Sequence, residues 1–309
     1  MASSFYIIEG GVWKKVSEAS IYTGSAWNSV SNIYYWNGSA WVKGFTKGFE
    51  FTKTITGTTT NFSTTTEATS QGWNGTDSVI ANLTLSSSAI IKSSSISTYA
   101  FETTGLPLNS QVNLTLTSGA YIVGKGGAGG IGSFSVIIYY PNAGPNGYSS
   151  GQPGGPAINI ISGVTMNLTN NGTIGGGGGG GGGGNGGEAF PSYGSFQGGS
   201  AGGGAGYGDG GPVNPGQANA YVSGPAGNAG TLTAGGAGVG TINTHSSFGG
   251  TGGNGGTLGT AGVNAVNGGG APYGMYNSAA PGGAAGVAIN GWSRTNAITA
   301  GTILGAKNN

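Results

Sequence analysis

Apolar and polar residues alternate over much of several stretches of this chain. The clearest are VIANLTL at 79–85, AIIK at 89–92 and VNLTLT at 112–117. A period of two puts one set of side chains on a core and the other in water, so these stretches predict half-buried strands. A second apolar group, AINII at 157–161 and VTMNL at 164–168, runs on into NNGTI at 170–174 and then into ten consecutive glycines at 175–184. Residues 1–48 follow a different rule, a 14-residue repeat. Trp13, Trp27 and Trp41 keep one register, Gly10, Gly24 and Gly38 another, and the pairs Ile7/Ile8, Ile21/Tyr22 and Tyr35/Trp36 a third. Aromatic and β-branched residues split by glycine turns predict short antiparallel hairpins, clearest where Asn37 and Gly38 lie between Trp36 and Trp41. One hairpin buries little, so three in tandem point to a small meander or a multi-chain collar. Residues 1–48 therefore read as an attachment module, and residues 49–123, rich in Thr and Ser, as a β connector.

Composition changes abruptly at Gly124. Of 72 glycines in 309 residues, 11 precede that point and 61 occupy the last 186 residues. After Lys125 the charged residues are Glu188, Asp209, Arg294 and Lys307 alone. Glycine loses the most entropy on ordering and contributes no side-chain burial, yet fourteen Tyr, ten Phe and six Trp argue against a disordered chain. The glycine spacing is periodic: Gly124, Gly127 and Gly130 step by three, as do Gly224, Gly227 and Gly230, and the series from Gly250 to Gly262. Three residues is the repeat of the polyproline II helix, and a glycine at every third position gives that helix one face free of side chains. The runs are too short and too poor in Pro for collagen. The predicted fold is therefore free of α-helix. It has small N-terminal β-hairpin repeats, a β-domain, and over 124–309 a bundle of polyproline-II-like glycine-rich helices packed side by side.

Between the glycine tracts lie segments of opposite composition, at 133–150, 188–197, 207–223, 241–248, 271–281 and 291–298. Tyr, Phe, Trp, Asn, Ser and Pro dominate them. Stiff amphipathic rings supply contact area at low entropic cost, and small polar residues supply adaptable hydrogen bonds, which is the chemistry of a binding surface. The candidate binding residues are Tyr139, Tyr140, Tyr148, Tyr193, Phe196, Tyr221, Phe248, Tyr273 and Tyr276.

Three runs carry a family resemblance: SGAYIVGKGGAGG at 118–130, NNGTIG at 170–175 with its oligoglycine, and GVAING at 286–291. With them the chain resembles the glycine-rich tip adhesins on the long tail fibres of T-even-like phages, over roughly residues 118–291. The resemblance implies that the C-terminal part is a sandwich of polyproline-II-like glycine-rich helices, with recognition loops at one end that bind an outer-membrane protein or surface glycan of a bacterial host. It also implies a place on the virion tail or tail fibre, with other fibre proteins as partners through residues 1–48. The 14-residue repeat departs from the family pattern. Two other readings compete with host recognition. One is a purely structural tail component or fibre-assembly protein. The other is ice binding, against which the long irregular tyrosine segments speak.

Catalytic chemistry finds little to stand on. Glycan hydrolysis needs two carboxylates, and the C-terminal part offers Glu188 and Asp209, each readable as a solvated loop charge. His245 is the single histidine and there is no cysteine, so no metal cluster or cofactor is expected. Gly-x-Gly-x-x-Gly look-alikes near Gly124 follow from composition alone. Arg294 beside Trp292 reads as a loop cap in preference to a stacking or acid-binding group. A formal net charge of +1 without a basic stripe argues against nucleic acid. The start at residues 1–9 lacks the form of a signal peptide, and no long apolar run predicts membrane insertion, so cytosolic synthesis is expected.

Overall fold

The structure is a computed structural model. It describes residues 6–9, 12–16, 19–30, 32–46, 48–132, 149–185, 187–188, 195–196, 198–212, 225–240, 249–267 and 279–309. Three two-stranded antiparallel pairs come first: β1 (Tyr6–Glu9) with β2 (Val12–Lys15), β3 (Ser20–Tyr22) with β4 (Trp27–Ser29), and β5 (Asn32–Trp36) with β6 (Trp41–Thr46). The 14-residue repeat places one aromatic or aliphatic pair at the same cross-strand position in each: Ile8 opposite Trp13, Tyr22 opposite Trp27, Trp36 opposite Trp41. The Tyr22–Trp27 and Trp36–Trp41 ring centroids lie 5.3 Å and 5.8 Å apart. Asn37 Oδ1 accepts from the backbone N–H groups of Ser39 and Ala40, and Gly38 takes φ 99°, a conformation glycine adopts without a Cβ penalty.

From residue 49 onward the chain coils. Each turn lays one strand in each of three parallel sheets. The first turn contains β7 (Phe49–Ile55), β8 (Thr58–Thr60) and β9 (Phe62–Ser63), followed by α1 (Thr64–Ser70). The second contains β10 (Val79–Leu85), β11 (Ile90–Lys92) and β12 (Phe101–Glu102). The third contains β13 (Ser110–Leu116), β14 (Tyr121–Val123) and β15 (Ile158–Asn159). The fourth begins with β16 (Val164–Asn170) and β17 (Thr173–Gly175); a short antiparallel pair, β18 (Gly187–Glu188) with β19 (Ser195–Phe196), intervenes before β20 (Val287–Asn290) completes the turn. The fifth contains β21 (Thr295–Thr299), β22 (Thr302–Leu304) and β23 (Ala306–Asn308). The resulting sheets are five-stranded, in the orders β21-β16-β13-β10-β7, β22-β17-β14-β11-β8 and β23-β20-β15-β12-β9.

In-register stacking follows from the period-two pattern. In β10 and β13 burial alternates residue by residue. Inward columns such as Leu83, Leu114 and Leu168 join Ile91 and Ile122 of the second sheet and Phe101 and Ile158 of the third in one core. Outward columns are polar. Asn82, Asn113, Asn167 and Asn296 lie one above the next, each Nδ2 donating to the Oδ1 below at 2.7–3.0 Å, and Asn82 donates to Glu50 at 3.0 Å. In the first three turns the corner between the first two sheets takes left-handed backbone, at Gly57 (φ 70°), Ser88 (φ 67°) and Gly119 (φ 80°).

The architecture corrects the expectation of a helix-free molecule with a C-terminal sandwich of polyproline-II-like helices. Among the described residues the molecule is mostly β, with parallel sheets and one short α-helix. Strands of 164–170, 287–290 and 295–308 add turns to the same coil because their inward residues continue its core. The glycine tracts are insertions in the third and fourth turns, and their described residues are neither helical nor part of the three parallel sheets. Helix α1 forms despite its threonines because Ser63 Oγ caps the Thr66 N–H, Ala68 is buried, and Glu67 pairs with Lys53 at 3.1 Å.

Leu114→Ala removes inward volume from the middle of a column and is expected to lower unfolding free energy by roughly 2–5 kcal/mol. Thr54→Ala, on the exposed outward side, is expected to change it by about 0.5 kcal/mol or less; chemical denaturation of the two variants checks the contrast.

Candidate functional site

Beyond the coil stands a block of main chain whose centre is the oligoglycine that follows β17. Residues 175–185 are all buried. Their hydrogen bonds change partner with a period of three. Gly177, Gly180 and Gly183 donate to the carbonyls of Gly155, Gln152 and Ser149. Gly178, Gly181 and Gly184 donate to Ala205, Gly202 and Gly199, and Gly179 and Gly182 donate to Thr260 and Val263. Carbonyls along the same run accept from Gly124, Gly127 and Gly130, from Gly259, Gly256 and Gly253, and from Gly286, Gly283 and Ala280. All these bonds measure 2.7–3.2 Å. Six neighbouring tracts thus surround one thread, and buried polar groups find partners without any side chain. The glycines are required by space: a Cβ at Gly177, Gly178 or Gly180 would fall on the carbonyl oxygen of Lys125, Gly256 or Ala128.

One end of the block is fixed to the coil. Gly124 donates to Gly175 and Gly176 to Leu304, at 2.9 and 3.0 Å. Val123, Ala205 and Leu258 form a small apolar cluster there with Tyr121 and Leu304 packed against it. Tyr207, a non-glycine residue at φ 63°, is held from two sides: Lys125 Nζ donates to its carbonyl, and Lys92 Nζ lies 4.8 Å from its ring centroid. Lys125 also lies 3.9 Å from Asp209.

At the opposite end, around Gly183–Asn185, the borders of five segments come together. Ser149 and Ile131 exchange hydrogen bonds at the base of 133–148, and Gly183 donates to Ser149. Gly184 donates to Gly199, beside the end of the segment that β18 and β19 begin and close. Ser200 Oγ donates to the Pro212 carbonyl at the base of 213–224. Gly250 donates to the Asn185 carbonyl, next to 241–248, and the Ala279 N–H donates to Asn267 Oδ1 across the base of 268–278.

Of the candidate binding residues, Tyr139, Tyr140, Tyr148, Tyr193, Tyr221, Phe248, Tyr273 and Tyr276 lie outside the described residues, as does His245. Phe196 is on β19, paired with Gly187. Glu188 is on β18, opposite Ser195, and the Asp209 side chain is 82% exposed. Among the described residues no group of three or more His, Cys, Asp or Glu gathers in metal-binding geometry, and no helix is long and apolar enough to cross a membrane. Arg294 Nε donates to the Ile160 carbonyl at 3.2 Å, tying the last turn to the third, and the cation over Trp292 is Lys307, 4.6 Å from the ring centroid. In the hairpins, Trp27, Trp36 and Trp41 are 72%, 54% and 68% exposed. Sequence reasoning missed the loop-base residues Ser149, Ser200 and Asn267, whose signal was their position at the flanks of the glycine tracts. It also missed Lys92, which no local pattern connects to Tyr207.

The architecture is thus a parallel coil that carries a block of bare main chain, with five segment bases converging on the block's far end. The chain belongs to the phage tail fibre adhesin Gp38 family, whose model matches residues 50–308. A tail fibre is therefore the setting of the protein. The chain is also similar to the crystal structure of the gp37-gp38 adhesin tip complex of the bacteriophage S16 long tail fiber, with 25% identity, 82% of each chain covered and a TM-score of 0.47. No curated protein matches the chain.

Gly180→Ala drives a methyl group into the Ala128 carbonyl and is expected to destabilise the protein by roughly 3 kcal/mol or more. Thr233→Ala, on an exposed turn of the same block, is expected to cost about 0.5 kcal/mol or less. Thermal unfolding of both variants beside the parent decides the matter.

Proposed function

We propose that the chain is the host-recognition component of its fibre and acts without catalysis. Aromatic residues on the segments at the far end of the glycine block bind a bacterial surface receptor, an outer-membrane protein or a glycan. The observation that carries this reading is the convergence of five segment bases around Gly183–Asn185. A scaffold stiffened by main-chain bonds holds such segments at little further entropic cost, and the tyrosines and phenylalanines on them supply the anchors. Simultaneous Tyr139→Ala and Tyr140→Ala, or Tyr273→Ala and Tyr276→Ala, is expected to weaken adsorption to host cells about tenfold or more, with the melting temperature unchanged. Undiminished adsorption by both double variants would sink the reading. Failure of particles to assemble would instead favour a purely structural role.

Residues 1–48 lie outside the family match and serve in this reading as the mount on another fibre protein. Two of the hairpins present exposed aromatic pairs, Tyr22 with Trp27 and Trp36 with Trp41, and the 14-residue repeat sets Ile8 opposite Trp13 in the other, which suits a partner offering repeated sites. Such exposed rings are costly in water and typical of an interface. Trp27→Ala combined with Trp41→Ala is expected to leave the purified protein folded and able to bind host cells while sharply lowering its incorporation into virions, read by immunoblot of purified particles.

A further inference from the structure

The two edges of the first sheet are treated differently. At one edge β7 carries Glu50 and an inward Lys53 paired with Glu67, charges of the kind that protect an edge strand. At the other edge β21, Thr295–Thr299, carries no charge, no proline and no bulge. Its residues 296–299 are exposed, Ile298 to 76%. The asparagine ladder adds a direction. Every Nδ2 donates down the column, so the amide of Asn296 is spent on Asn167 and its Oδ1 faces onward as an acceptor. On the same strand, Thr295 Oγ1 is buried without a hydrogen-bond partner.

We propose that β21 is a strand-docking edge, and that its occupant is an extended segment of another polypeptide that runs parallel to β21 and brings an Asn or Gln side chain into register with Asn296. Main-chain bonds supply the affinity of such an added strand and the side-chain register its selectivity. The amide of the incoming residue repeats the donor-to-acceptor step already made three times in the column. A second copy of this chain stacked head to tail would bring Thr52, the β7 residue in register with Asn82, against Asn296 and so would supply no amide to continue the ladder.

The test uses the full chain and two peptides. SQVNLTL is the sequence of β13 and carries the ladder asparagine; its counterpart differs by Asn→Asp, which has no amide to donate. The first peptide is expected to slow amide hydrogen exchange at residues 295–299 and to bind about tenfold or more tighter than the second. Ile298→Lys, which puts a guarding charge on an exposed position, is expected to abolish that protection with no change in melting temperature. The peptide comparison stands independently should that variant fold poorly. Absence of protection, equal binding of both peptides, or a light-scattering mass that rises with concentration and falls on Ile298→Lys overturns the proposal, the last by assigning the edge to a second copy.

Discussion

A buried peptide group must find a hydrogen-bond partner, and both halves of the architecture answer that requirement chiefly with other peptide groups. In the coil the answer is strand pairing, with in-register neighbours from Phe49–Ile55 through to Ala306–Asn308. In the glycine block it is a central thread whose donors and acceptors rotate among six neighbours. The two systems meet at Gly175, which ends β17 and accepts from Gly124, so a single run of chain passes from one to the other without leaving main-chain groups stranded. Side chains play opposite parts in the two. Leucine, isoleucine and phenylalanine fill the coil, whereas at the inward glycines of the block a methyl group is already too much.

The connection between coil and block is where polar chemistry returns. Tyr207 is an uncommon non-glycine residue in left-handed conformation. Lysines from β11 and from the start of the first glycine tract hold it, one by its ring and one by its carbonyl. The fifth turn reaches the same junction through Leu304, which accepts from Gly176, and elsewhere Arg294 ties that turn to Ile160 of the third. The last nineteen residues thus fasten segments that precede them by well over a hundred positions.

Much of the coil was legible in sequence because alternation is a local signal: 79–85, 112–117 and 164–168 all fall on long strands of the first sheet. Their mutual stacking was not, since the partners of the ladder are 31 residues apart in one step and 129 in another. Helix α1 was hidden by its composition, TTTEATS, whose weak helix propensity is overridden by a cap, a buried alanine and an ion pair. The three-residue glycine spacing could be read, but the architecture inferred from it was wrong, because glycine imposes no backbone form of its own and the neighbours of each tract are set by the coil. For the candidate site, abrupt changes of composition marked where segments leave the block. Which main-chain groups gather at their bases depends on threading that no short window contains.

A block joined by peptide groups has no need of ion pairs, and this one has almost dispensed with charged side chains. Between Lys125 and Arg294 there is neither a lysine nor an arginine. Trypsin-like proteases, which cut after those residues, therefore find nothing to cleave along that whole stretch, whether it is folded or open. Resistance to such digestion here belongs to the covalent chain, and would persist through a transient loss of structure.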